Sequence, residues 1–184
     1  MSTLRAIGCL ELNSIAMGMH TADEMAKAAS VDLIMARPTC PGRYLVVVAG
    51  DTGAVQSSVD TGCAIGGDMT VDSFVLSNVH MDVFPALSGT ALRTTINALG
   101  VIETSTTASC ILAADAAAKA AQVDLLEIRF AAGLGGKAFV VMTGDVGSVK
   151  AAVEAGVAGV GESGPVLSHI VIPSPSEEFK KQLL

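Results

Sequence analysis

A stretch near the start of this chain comes back in its second half. "IGCLELNSIAMGMHTADEMAKAASVDLI" at residues 7–34 returns as "LGVIETSTTASCILAADAAAKAAQVDLL" at 99–126, a shift of 92. Gly8/Gly100, Glu11/Glu103, Asp23/Asp115, Lys27/Lys119 and Asp32/Asp124 coincide. Further on, "GRYLVVVAGDTGAV" at 42–55 returns as "GKAFVVMTGDVGSV" at 136–149, now shifted by 94. A repeat of this length means one small fold made twice. The two residues gained fall in a single loop, where "RPTCPG" at 37–42 answers to "RFAAGLGG" at 129–136. The halves share a scaffold and differ at that loop.

Each half reads with the same plan. A short alternating strand (6–12; 98–104) leads into an Ala-rich helix ending near Ala29 or Ala121. Two strands flank the special loop (31–37 and 43–49; 123–130 and 137–143). Asp51 and Asp145 then follow a glycine and precede a helical pattern, where a carboxylate accepts from the free amides of a first turn. The second helix runs to about Ile65 or Val160, a last strand follows (71–77; 166–172), and short helical segments close each half. This order predicts an α+β fold of two tandem domains, each an antiparallel-rich sheet covered by helices in a ferredoxin-like variant. The expected domains are 1–92 and 93–184, joined by the polar stretch 87–95.

Composition narrows the function classes. The chain is 51% hydrophobic but only 3% aromatic, without tryptophan and with 19 glycines. Ala, Val, Leu and Ile surfaces of this kind are flat and pack closely, and there is more of them than a small lone domain buries, so association is expected. A net charge of −7 with no basic cluster excludes nucleic acid as a partner. No run of about 18 apolar residues exists to span a membrane. Glu11 stands where a signal peptide needs its apolar core, so no export is expected. His20, His80 and His169 lack metal-ligand spacing, and "GLGG" at 133–136 lacks the G-x-G-x-x-G spacing of a dinucleotide loop. No Ser/His/Asp or paired-carboxylate arrangement is legible, so no enzymatic activity is expected.

Four cysteines in no paired pattern read as reduced thiols. Cys9, Cys63 and Cys110 fall within apolar strand or helix patterns and read as small hydrophobes. Cys40 differs. It lies between Thr39 and Pro41, with Pro38 and Gly42 alongside, on a turn where packing gives no reason for a cysteine. It is either a metal ligand or a plain lining thiol. Lys27 and Lys119, at matching helix ends, read by themselves as solvated charges.

"ALGVIETSTTASCILAADAAAKAAQVDLL", "GDVGSVKAAVEAG" and "VIPSP" resemble the bacterial microcompartment shell domain, and the first half resembles a second copy of it. The resemblance covers almost the whole chain and implies the tandem-domain shell proteins. Three such chains make a pseudo-hexameric homotrimer that tiles with other shell proteins into the facets of a protein-bounded compartment within the cytoplasm. The first-half loop is similar to that of the trimeric shell protein of propanediol-utilisation compartments. There a "CPGK"-like loop lines the central pore and its cysteine holds an iron–sulfur cluster. The matching residues here are Cys40, Pro41, Gly42 and Arg43, with Arg in place of Lys. "VIPSP" departs from the family's "PRP" by placing Ser174 at the arginine position.

The resemblance therefore implies a pore loop of Pro38, Thr39, Cys40, Pro41 and Gly42, with Ala132, Gly133 and Gly135 as walls from the other half. Such clusters normally take four thiolates, and three-fold symmetry brings three copies of Cys40 to one axis. One [4Fe–4S] cluster per trimer follows, for electron transfer or delivery to redox enzymes across the shell. Lys27 and Lys119 become shell-edge contacts. The competing readings are a cluster-free shell protein whose pore passes a small metabolite, and a cytosolic regulator of ferredoxin-like fold that binds an effector between subunits.

Overall fold

A computed structural model describes residues 6–91, 95–130, 133–161 and 166–183, and no helix among them is long and apolar enough to cross a membrane. The first repeat runs β1 (Ala6–Leu12), α1 (Ile15–Ala28), β2 (Val31–Thr39), β3 (Arg43–Gly50), α2 (Thr52–Gly66) and β4 (Thr70–Ser77). After it comes the short helix α3 (Val83–Ser88). The second repeat runs β5 (Ala98–Thr104), α4 (Thr107–Ala120), β6 (Asp124–Phe130), β7 (Ala138–Gly144), α5 (Val146–Val160) and β8 (Val166–Ile172), followed by α6 (Glu177–Leu183).

Local chemistry sets these bounds. Ser14 caps α1 by accepting from the Met17 amide at 3.2 Å. Asp51 accepts from the Gly53 amide at 3.0 Å, and Asp145 from the Ser148 amide at 2.9 Å. Each satisfies an amide that a helix start leaves unpaired. The Ser148 hydroxyl also donates to Asp145, and these bonds hold its carboxyl below the usual range. The predicted capping role of Asp51 and Asp145 is what the structure contains. The central strands are rich in β-branched residues, "RYLVVVAG" in β3 and "AFVVMTG" in β7, which suits a sheet covered by helices.

The strand order is β2-β3-β1-β4 in one sheet and β6-β7-β5-β8 in the other. All pairings are antiparallel, with Ile7 opposite Ala49 and Leu76, and Leu99 opposite Thr143 and Ile172. This is the split β-α-β-β-α-β arrangement, and the predicted α+β class holds. The described residues group into two compact units. One takes in 6–79 with 106–108 and 133–136; the other takes in the remaining residues from His80 onward. Leu10, Leu12, Met25, Val46, Val48, Val55 and Val59 form the core of the first. Ile96, Leu99 and Val141 cluster in the second.

Two differences from the sequence reading concern boundaries. Pro38 and Thr39, predicted as loop, are the last residues of β2, opposite Tyr44 and Arg43. β2 is an edge strand, where a residue without an amide hydrogen can leave the ladder intact. Leu87 and Ser88, predicted to begin a linker, close α3, because Val83, Ala86 and Leu87 have an apolar face to bury.

Helices lie close on their strands because glycine stands beneath them. A Cβ on Gly8 would fall 2.5 Å from Val59 and 2.8 Å from Val55; on Gly100 it would fall 2.7 Å from Val153 and 2.9 Å from Val149. Elsewhere the repeats exchange volumes. A Cβ on Gly18 would meet the Tyr44 side chain at 2.2 Å, whereas the corresponding pair in the second repeat is Cys110 and Ala138. Gly18→Cys should therefore cost about 1–3 kcal/mol by overpacking. Combined with Tyr44→Ala it recreates the second repeat's pair, and the double variant should be more stable than the summed single losses by about 1 kcal/mol or more. Urea unfolding of the four proteins measures this coupling.

Candidate functional site

The hairpin between β2 and β3 turns through three residues, Cys40, Pro41 and Gly42. The Gly42 amide donates to the Thr39 carbonyl at 3.1 Å, and Gly42 adopts φ +87°, which a side chain resists. The Cys40–Pro41 peptide bond is cis. Cys40 is half-buried and Pro41 and Gly42 are exposed, so the thiol sits at a tip and not in a core. Beside it, Thr39 Oγ1 is buried and has no hydrogen-bond partner among the described residues.

The second repeat's loop reaches the same place in part. Gly133, Gly135 and Gly136 all have positive φ, of 78°, 62° and 91°. A Cβ on Gly136 would lie 3.1 Å from Pro41 Cδ and 3.6 Å from the Cys40 carbonyl oxygen. Gly136 thus packs against the Cys40 turn, and only a residue without a side chain allows that approach. Ala132, expected among the walls, lies outside the described residues.

The remaining cysteines do different work. Cys9 and Cys110 are fully buried, and Cys63 is half-buried on α2. Burial, with the Glu11 and Asp72 charges behind it, pushes the Cys9 thiol well up. Burial also pushes Cys110 up to about 12. Both stay protonated thiols, poor ligands and poor nucleophiles.

Arg43, read in sequence only as a variant of a loop lysine, has a scaffold role. Its Nη1 donates to Glu11 Oε1 at 2.8 Å, and the Glu11 side chain is 1% exposed. The other carboxylate oxygen, Oε2, accepts from the Thr107 amide at 3.1 Å, at the start of α4 within the same compact unit. The Thr106 hydroxyl donates to Asp72 at 2.6 Å there. The second repeat keeps the ion pair, Lys137 to Glu103 at 2.8 Å, but leaves it open, with Glu103 32% and Lys137 52% exposed. The signal was present in sequence: Glu11/Glu103 and Arg43/Lys137 coincide in the repeats, each carboxylate matched by a cation.

Lys27 and Lys119 have unlike surroundings. Lys27 is exposed and pairs with Asp23 and with Glu24, and these hydrogen bonds raise its pKa. Lys119 pairs at 2.6 Å with Asp115, which is buried and also accepts from the His80 amide at 2.7 Å. Among the described residues, no group of three or more His, Cys, Asp or Glu side chains could hold a metal ion. One chain supplies one suitable thiol, so Cys40 fits a cluster only as one contributor among symmetric copies.

Buried carboxylates are costly without a partner, and this predicts what Arg43 is worth. Arg43→Met should lower unfolding stability by about 3 kcal/mol, because it strands Glu11 in a dry site. Arg43→Lys, the cation that the second repeat uses, should keep most of that loss from appearing. Chemical unfolding of both variants checks it.

The family model described as the BMC domain matches residues 6–79 and again residues 98–175. The bacterial microcompartment shell protein PduT of Citrobacter freundii is 44% identical over 180 residues, covering 98% of each chain. A carboxysome shell protein of Prochlorococcus marinus is 36% identical over 85 residues, which is 45% of this chain and 82% of its own. Among solved structures, a microcompartment protein from Desulfitobacterium hafniense DCB superposes with a TM-score of 0.89 at 50% identity, covering 97% of this chain and 99% of that one. The relatives named here are shell proteins of microcompartments and carboxysomes. With a domain match in each repeat and an end-to-end relative, this chain belongs to the bacterial microcompartment shell protein family, as a tandem-domain component of a compartment's shell.

Proposed function

We propose that three copies of this chain close into a pseudo-hexameric trimer whose central pore is bordered by the Cys40 turns, and that the three thiols together hold one [4Fe–4S] cluster. The observation that carries this reading is Cys40 itself, a half-buried thiol at the tip of a three-residue turn in a chain whose Cys9 and Cys110 are sealed in the core. Three-fold symmetry supplies the number of thiolates that one chain lacks. When bound, the cluster supplies one-electron chemistry. The chain's own part is to fix the thiols. Gly42 makes the turn, β2 and β3 anchor both its ends, and Gly136 packs behind Pro41. Electron transfer or cluster delivery across the shell is the use this supports, with redox enzymes as partners.

A second reading is a cluster-free pore that passes a small metabolite. The regulator reading falls away with the family assignment.

Protein prepared without oxygen should be brown, with iron and sulfide at about one cluster per trimer, since one axis hosts one. Cys40→Ser should be colourless and still trimeric, because a hydroxyl is a much poorer ligand for a cluster iron. Reconstituted wild type without iron, or a Cys40→Ser protein that keeps its colour, leaves the metabolite reading in its place.

Lys27 and Lys119 are proposed as edge residues that meet neighbouring discs. Replacing both with Asp places like charges where flat edges meet, and should abolish sheet formation seen by electron microscopy while each trimer stays intact. Sheets that survive the double change would remove the edge assignment.

A further inference from the structure

The two repeats make the same surfaces and bury them unequally. On the strand face away from the glycine-seated helix, Cys9, Glu11 and Leu45 of the first repeat are 0%, 1% and 0% exposed. Their counterparts Val101, Glu103 and Phe139 are each only partly buried. At the start of the first helix the inequality reverses. Thr107, Ala108 and Ile111 of α4 are 2%, 0% and 0% exposed, whereas Ile15 and Met19 of α1 are 39% and 55% exposed and Ala16 is exposed as well. One chain therefore carries a half-covered strand face on its second repeat, where Val101 and Phe139 pack in one cluster with Leu183, and an exposed helix start on its first.

The chemistry at the two places is complementary. In the first repeat Glu11 accepts at Oε1 from the Arg43 guanidinium and at Oε2 from the amide of the first residue of α4, Thr107. In the second repeat Glu103 accepts at Oε1 from Lys137 in the same way, and among the described residues its Oε2 accepts nothing. Ile15 stands in α1 where Thr107 stands in α4, and no hydrogen bond reaches its amide among the described residues. A helix start is a site of positive potential with free donors, and a carboxylate satisfies both. The acceptor and the donor are both present, and each lacks the partner that the other repeat has.

We infer that Glu103 of one chain accepts a hydrogen bond from the Ile15 amide of a second chain, reproducing between chains the Glu11–Thr107 pairing, with the Val101 and Phe139 face covering Ile15 and Met19. The occupant of this surface is thus a second copy of the same chain. The contact joins unlike patches, head to tail, and such contacts form rings when the rotation closes. The inference rests on the trimer proposed above and names the residues that close it.

Ile15→Pro tests the amide itself. Proline at the first helical position keeps the helix and removes only a donor that has no partner within it. Ser14, with φ −158° and ψ 123°, already has the extended backbone that a following proline requires. Sedimentation of the purified full-length protein over a range of concentrations gives the concentration at which half the trimer dissociates. That concentration should rise about tenfold or more in Ile15→Pro and in Glu103→Met, as expected for hydrogen bonds to a charged group. Ile15→Thr, which copies the second repeat and keeps the amide while trimming the covered side chain, should raise it clearly less than Ile15→Pro does. The double variant Ile15→Pro/Glu103→Met should dissociate no more readily than the worse single one, because both changes remove one bond. A wild type that is not a trimer overturns the assembly and this pairing together. A trimer indifferent to both single changes, additive losses in the double variant, or a Ile15→Thr effect equal to that of Ile15→Pro overturns the pairing and leaves the trimer standing.

Discussion

Everything in each half rests on a helix laid directly against the strand at the middle of the sheet. Gly8 and Gly100 have no side chain, and the space is taken by Val55 and Val59 of α2 or by Val149 and Val153 of α5. The helices answer with glycines of their own. A Cβ on Gly62 would lie 2.6 Å from Met25, and one on Gly156 would lie 2.5 Å from Ile102. Close approach at both ends of the contact lets small aliphatic residues fill the layer at native density without aromatic bulk. It explains how a chain with 3% aromatic residues still forms a dense core.

That scaffold carries a turn which can change without disturbing it. β2 and β3 stay in register through Thr39 and Arg43, so the sequence of the turn is free to differ between repeats. In one repeat the turn presents a thiol; in the other, glycines with positive φ fold in behind it. The Arg43–Glu11 pair lies just below, tying the base of the turn to the middle of the sheet. A buried ion pair of this kind does more for geometry than for net stability, since desolvation consumes most of its attraction.

Equivalent residues of the two repeats also meet unlike surroundings. Glu11 is buried and accepts from the first amide of α4, whereas Glu103 is partly exposed and Ile15 and Met19 are exposed. Asp115 is buried and accepts from the His80 amide, whereas Asp23 stays in solvent beside Lys27.

Much of this was legible in sequence, for a physical reason. Alternation and helical spacing are local, so the strands at 6–12, 98–104 and 166–172 and the caps at Asp51 and Asp145 could be read from a few neighbouring residues. The repeat then fixed the duplication of the fold, and Cys40 stood out because its neighbours forbade a core. What sequence could not decide was what lies opposite. Pro38 and Thr39 belong to β2 only because Tyr44 and Arg43 face them across the ladder. Arg43 is a scaffold residue only because Glu11, 32 positions earlier, is sealed beneath it. Met19 and Ile111 occupy one repeat position, yet the first is 55% exposed and the second not at all. Burial is decided by the surface that arrives from elsewhere in the chain, and local pattern carries no record of it.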